Sequence, residues 1–184
     1  MKVSVKRNAA ITCIFLDIGG VLLTNGWDHL ARRRASKHFK LRWTEMEDRH
    51  NLRTQFRDFM FAQSKPYPEM IEMLAQLKVR HGLKIAVVSN EARELNGYRI
   101  RKFKLDRLVD AFVSSCFVHI RKPDADIFRL ALDIAQAPAQ EVIYIENTPL
   151  FVQIAEGLGI RSILHTDYGS TCSKLASLGL QNHR

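Results

Sequence analysis

Short apolar, β-branched runs alternate with helix-period segments along most of the chain, and this alternation restricts the fold more than any other feature. Runs at 11–16, 84–88, 111–114, 142–145 and 161–164 read as strands. Between them, PYPEMIEMLAQLKVRHG places Met70, Met73, Leu74 and Leu77 on one helical stripe, with Pro68 suited to a first turn and Gly82 to the exit. KPDADIFRLALDIAQ sets Ile127, Leu130, Ala131 and Ile134 on one face, and NTPLFVQIAEGLG offers Thr148 as N-cap with Pro149 at the first helical position. A last short helix is expected from 170 to about 178, with Gly179 as its stop. Strands alternating with helices imply an α/β fold on a mainly parallel sheet.

One segment breaks the alternation. Residues 24–65 show no strand pattern, only helix-like material with two tryptophans, Trp27 and Trp43. Trp27, Leu30, Ala31, Ala35 and Phe39 form a candidate apolar stripe, leaving Arg32, Arg33 and Lys37 outside. The chain of 184 residues reads as one domain, with a core from 1–23 and 66–184 and a short helical insertion at 24–65.

In parallel sheets of this kind, ligands bind beyond the carboxyl ends of the strands. Asp17 stands after the first run, interrupting IFLDIGGVLL where a buried strand should stay apolar. A carboxylate there is costly unless a cation or hydrogen bonds compensate it. Ser89 and Asn90 follow the second run, Glu146 and Asn147 the fourth, and the loop after the third carries Arg121 and Lys122. Singly, each has a bland reading: Asp17 before two glycines can shape a turn, Ser89 can cap a helix, and Lys122 can be a surface lysine. Together they converge on one sheet edge with groups able to hold phosphate and a metal.

Composition narrows the class. Hydrophobic residues make up 46% and charged residues 26%, a globular balance. No apolar stretch reaches transmembrane length, and MKVSVKRNAA carries no long apolar region, so neither a membrane span nor a signal peptide is expected. Cys13, Cys116 and Cys172 lack paired spacing, which fits free thiols and a cytoplasmic location. The formal charge of +9 favours anionic partners. Its densest cluster, ARRRASKHFK at 31–40, comes without an aromatic-interleaved RNA motif or zinc-finger spacing, so nucleic-acid binding would rest on charge alone.

In register, these segments resemble the haloacid dehalogenase (HAD) superfamily of phosphatases and related hydrolases. FLDIGGVLL is similar to the family's first motif, AVVSNE to the second, RKPDADIF to the third and VIYIENTPLFVQIAEGLGI to the fourth. The resemblance implies a three-layer Rossmann-like core with a mainly parallel sheet, and a small helical cap at the insertion. It implies Asp17 as the nucleophile that forms an aspartyl-phosphate, Ser89 and Asn90 as phosphate-binding residues, and Lys122 pairing with both Asp17 and phosphate. It also implies Mg²⁺, held by Asp17, the Gly19 backbone carbonyl, Glu146 and Asn147. The expected function is a phosphatase acting on a small phosphorylated metabolite, such as a sugar phosphate.

Two positions depart from the family pattern. Gly19 stands where a second aspartate usually serves as general acid and base, a feature shared with a branch resembling α-glucose-1-phosphate phosphatases. A good leaving group needs less protonation; otherwise the acid comes from elsewhere, with Asp28 and His29 as candidates. Asn147 replaces a metal-binding aspartate, which predicts weak Mg²⁺ binding. These departures also motivate the alternative of a catalytically degenerate member that binds a phosphorylated ligand or a protein partner without turnover. Dehalogenation ranks behind both.

Overall fold

The computed structural model describes residues 9–42 and 54–181. Five strands form one parallel sheet: β1 (Cys13–Leu16), β2 (Lys84–Ser89), β3 (Ala111–Ser114), β4 (Val142–Glu146) and β5 (Arg161–Leu164). Their order is β3-β2-β1-β4-β5, so β1 is central and the strand order reverses beside it. Among the described residues the helices are α1 (His29–His38), α2 (Thr54–Ala62), α3 (Pro68–His81), α4 (Arg93–Phe103), α5 (Ser115–Val118), α6 (Asp126–Ala135), α7 (Pro149–Gly157) and α8 (Tyr168–Ser177).

The strands are buried on both faces because alternate side chains meet helices on opposite sides. Ile14, Leu16, Ile85, Val87, Ile143 and Ile145 pack against the stripe Met70, Met73, Leu74 and Leu77 of α3 and against Leu175 of α8. Cys13, Phe15, Ala86, Val88 and Tyr144 face Ile127, Phe128 and Ala131 of α6 and Ala155 of α7. The result is the expected three-layer α/β fold. No helix among the described residues is long and apolar enough to cross a membrane.

Several local expectations shift. The first strand begins at Cys13 rather than 11, while β2 and β4 each gain a residue: Ser89 pairs with Ser114 and Glu146 with Leu164. On α6 the buried residues are Ile127, Phe128, Ala131 and Ala135, whereas Ile134 is half exposed. Thr148 occupies the N-cap of α7 but makes no side-chain cap bond. The last helix starts earlier than expected because Asp167 caps it, accepting from the Ser170 N–H at 2.8 Å.

Between β1 and α3, helices α1 and α2 enclose a small aromatic cluster of their own. Ala35 and Phe56 are buried, with Trp27, Phe39, Leu41 and Phe59 packed around them. Ala31 is buried as expected, but Leu30 is 61% exposed and Arg32 is half-buried. Trp43 lies outside the described residues. The chain enters and leaves this segment side by side: the Thr24 N–H donates to Lys65 O at 2.8 Å, and the Lys65 N–H donates to Thr24 Oγ1 at 3.0 Å.

Candidate active site

The carboxyl edge of the sheet gathers the polar residues. Asp17 follows β1 directly, its N–H donating to Ile145 O at 3.1 Å. Ser89 ends β2 and Glu146 ends β4. Lys122 arrives from the loop after α5, and Asn90 holds it there. The Asn90 amide accepts from the Lys122 N–H (2.9 Å) and donates to Lys122 O (2.8 Å). The Asn90 side chain, expected to bind phosphate, is therefore engaged in clamping the lysine's main chain.

Lys122 is buried, and its ammonium donates to Asp17 Oδ1 at 2.7 Å, Glu146 Oε2 at 2.6 Å and Tyr144 Oη at 3.0 Å. Three donors meet three acceptors. The Phe151 ring lies 4.8 Å from the nitrogen. Burial works against the ammonium, but Asp17 and then Glu146 outweigh it and hold Lys122 above its ordinary value. For Asp17, burial dominates and Glu146 adds to it, so its carboxyl lies above the usual range despite Lys122. Two buried carboxyl groups share one ammonium.

Glu146 is fully enclosed. Its Oε1 accepts the N–H groups of Asn147 (2.9 Å) and Thr148 (2.8 Å), and its Oε2 accepts from Lys122 and from the Tyr144 hydroxyl. Expected as a metal ligand, it has both oxygens engaged within the protein. Burial, then Glu146 and Asp17, push the Tyr144 hydroxyl well above its ordinary value, so it stays protonated. Tyr144 was not anticipated; its only mark in the sequence is a hydroxyl two residues before Glu146 on the same strand.

Ser89 is buried and donates to Glu91 Oε1 at 3.1 Å. Glu91 also accepts from Arg99 Nη1 at 2.8 Å. Arg99 itself is 1% exposed; its Nε donates to Ser64 Oγ (3.1 Å), and its Nη2 donates to the carbonyls of Thr24 (3.0 Å) and Asn25 (2.7 Å). One guanidinium thus joins the sheet edge to both ends of the segment carrying α1 and α2. Gly26, at φ +72°, makes room for it, since a Cβ there would lie 2.2 Å from Arg99 Nη2. Neither Glu91 nor Arg99 was singled out from the sequence. Glu91 stands inside AVVSNE, but an arginine in the basic helix stretch YRIRKF carries no local sign of burial.

These groups line a cavity of about 290 Å³ that also receives Asn25, Trp27, Asp28 and Phe151. Asp28, one of the two candidate acids, caps α1 by accepting the Ala31 N–H at 2.8 Å. His29, the other, is exposed and does not line the cavity.

Among the described residues, no three His, Cys, Asp or Glu side chains are arranged to hold a metal. The oxygen donors that fit a hard cation are the Asp17 carboxylate, the Gly19 carbonyl and the Asn147 amide oxygen. With its amide oriented to satisfy its neighbours, Asn147 donates to Gly19 O (3.2 Å) and Glu146 Oε1 (2.8 Å). Asn147 and the Gly19 carbonyl therefore touch, and ligation by both requires the amide to turn over. The fit is a sparse one, with a single carboxylate.

A protein-family model described as haloacid dehalogenase-like hydrolase matches residues 29–165, which leaves Asp17 outside the matched span. Over 92 residues, half of this chain, it is 33% identical to PpaX of Caldanaerobacter subterraneus, a pyrophosphatase candidate, covering 41% of that protein. It is also 30% identical to (S)-2-haloacid dehalogenase 4A of Burkholderia cepacia over 109 residues, 59% of this chain and 46% of the relative. The chain thus spans less than half the length of either curated relative. A HAD family enzyme of Bacteroides thetaiotaomicron, solved as an aspartate-to-alanine variant with magnesium and inorganic phosphate, superposes with a TM-score of 0.69 at 17% identity, covering 88% of this chain and 99% of that one. Sheet order, helix layers and the family match agree: the chain belongs to the haloacid dehalogenase-like hydrolase family.

Proposed function

We propose that this chain is a Mg²⁺-dependent phosphatase that hydrolyses a small phosphorylated metabolite through an aspartyl-phosphate on Asp17. The observation carrying this reading is the buried Lys122 ammonium, 2.7 Å from Asp17 Oδ1, at the base of a cavity lined by Ser89. A lysine so placed aligns the attacking carboxylate and faces the charge that develops on phosphorus. The Ser89 hydroxyl turns from Glu91 to a phosphate oxygen, and Asn90 keeps Lys122 in register. Asp17, Gly19 O and Asn147 would hold Mg²⁺, which neutralises charge on the nucleophile and the phosphoryl group. Two carboxyl groups beside a single ammonium favour such a cation. The relative crystallised with magnesium and phosphate supports the same chemistry.

Residues 24–65 act in this reading as a small cap over a core made of 1–23 and 66–184. Trp27 and Asp28 bring that cap to the cavity. A volume of about 290 Å³ suits a metabolite such as a sugar phosphate rather than a macromolecule.

The test is phosphate release, with and without Mg²⁺, from sugar 1-phosphates, sugar 6-phosphates, acetyl phosphate and an aryl phosphate. Asp17→Asn is expected to abolish it while the fold persists. Full activity in that variant would refute the mechanism. Chloride release from a 2-haloacid in place of phosphate release would move the chain to dehalogenation, and folded protein silent on every substrate would favour a binding role.

A further inference from the structure

Gly19 leaves the position two residues beyond the nucleophile without a carboxyl group, yet an ordinary alkyl phosphate needs a proton donor at its leaving oxygen. Four carboxyl residues line the cavity: Asp17, Asp28, Glu91 and Glu146. Asp17 is the nucleophile, Glu146 is closed off by four donors, and Asp28 bonds through Oδ1 to the first turn of α1 rather than to Ser89. Glu91 remains. Its carboxyl is 3% exposed, and its Oε1 takes both Ser89 Oγ and Arg99 Nη1. Its Oε2 receives no hydrogen bond from a described residue. The partner hydroxyl is that of Ser89, so Glu91 lies beside the place where the phosphoryl group would dock.

Resting on the phosphatase reading above, we propose that Glu91 is the acid–base carboxyl of this site and that Arg99 is its positioning residue, extending the substrate class to ordinary alkyl phosphate monoesters. First, an Asp17 oxygen bonds to phosphorus, the bond to the leaving oxygen breaks with its electron pair, and the Glu91 proton passes to that oxygen. A water oxygen then bonds to phosphorus, its proton passes to Glu91, and the bond to Asp17 breaks, restoring its carboxylate. The sum converts monoester and water to alcohol and inorganic phosphate, with Glu91 protonated again.

The surroundings support this role. Burial pushes the Glu91 carboxyl up to about 6, with Arg99 opposing and Asp17 adding to the rise. Facing it are Asp17 beyond β1, Arg99 on α4 and Cys116 on α5, with Lys122 and Glu146 in the same cavity. Near neutral pH both protonation states are populated, as a group that alternately gives and takes a proton requires. Because Arg99 also grips Thr24, Asn25 and Ser64, the position of Glu91 is tied to the chain leading into and out of the segment with α1 and α2.

The test compares kcat/KM for glycerol phosphate and 4-nitrophenyl phosphate across about pH 5 to 8 in the wild type, Glu91→Gln and Asp17→Asn. Glutamine keeps an oxygen for Ser89 and Arg99 but holds no transferable proton. Glycerol phosphate should lose about 10²–10⁴-fold in Glu91→Gln, while 4-nitrophenyl phosphate, whose leaving group needs no proton, should lose far less. The variant should instead release a burst of about one nitrophenolate per enzyme before slow turnover. In the wild type, kcat/KM for glycerol phosphate alone should decline above about pH 6. Equal effects on both substrates, or none, would overturn the assignment of Glu91. Should the variant not fold, superimposable wild-type profiles for the two substrates would overturn it equally. A wild type inactive on both, or an active Asp17→Asn, would overturn the phosphatase reading and this inference with it.

Discussion

Replacing Lys122 with methionine keeps most of the side-chain volume and removes the charge that holds the site together. The ammonium sits between Asp17 and Glu146 at 2.7 and 2.6 Å, and the lysine and glutamate side chains are each 1% exposed. Removing one partner of a buried ion pair costs about 3–5 kcal/mol, because the charge left behind has lost its compensation. Glu146 would keep Tyr144 and two backbone N–H groups, so Asp17 is the carboxyl that takes up a proton. Its folded pKa then rises further above the unfolded value near 4. The folded variant holds a proton that the unfolded chain has released, so its stability falls by about 1.4 kcal/mol per pH unit between those two values. Because wild-type Asp17 is itself raised, the deficit relative to wild type opens only above that raised value, so it should be smaller at acidic than at mildly alkaline pH. Wild-type Lys122, held above its ordinary value, keeps its contribution throughout this window and loses it only as pH rises through that raised value. Urea unfolding of both proteins at an acidic and a mildly alkaline pH measures the difference. Adding Glu146→Gln to the variant should recover part of the loss. A deficit below about 1 kcal/mol, or one that ignores pH, would refute the buried ion-pair argument.

The remaining predictions concern the metal side. Asn147→Asp places a carboxylate against Gly19 O and Glu146, so the variant should melt lower without metal. It should gain more from Mg²⁺ than wild type, with half-saturation falling on the order of tenfold as ligand charge rises; a melting temperature indifferent to Mg²⁺ in both proteins would count against the donor set. Gly20→Ala forces an L-residue to φ +83° and puts its Cβ 2.1 Å from the side-chain amide of Asn147. A loss of about 1–2 kcal/mol is expected from the backbone alone, together with a weaker Mg²⁺ response because Asn147 is pushed aside; unchanged stability would show that the turn relaxes.

The fold was legible because its signals are local and repeated. Each strand run carries its own β-branched residues, and the α3 stripe of Met70, Met73, Leu74 and Leu77 repeats at helical spacing, so neighbours reinforce one another. Ends were less legible. Ser89 and Glu146 belong to their strands because β3 and β5 pair with them, which no local composition records. Leu30 and Ile134 fit an apolar stripe by spacing, yet both face outward, since an apolar residue at a stripe's margin is buried only if a neighbour covers it.

The candidate site divides along the same line. The order of residues alone determined that Asp17, Ser89 and Glu146 share one edge, since each follows or ends a strand of one parallel sheet, with Lys122 in the connection that leaves the third strand. Tertiary structure decided what each side chain is free to do. Glu146 is closed by four donors, Asn90 clamps a backbone, and Glu91 and Arg99 enter as a buried pair. Those outcomes, like the Lys122–Asp17 bond between residues 105 positions apart, depend on contacts distant in the chain, and such hydrogen-bond partners are set by packing rather than by any pattern along the chain.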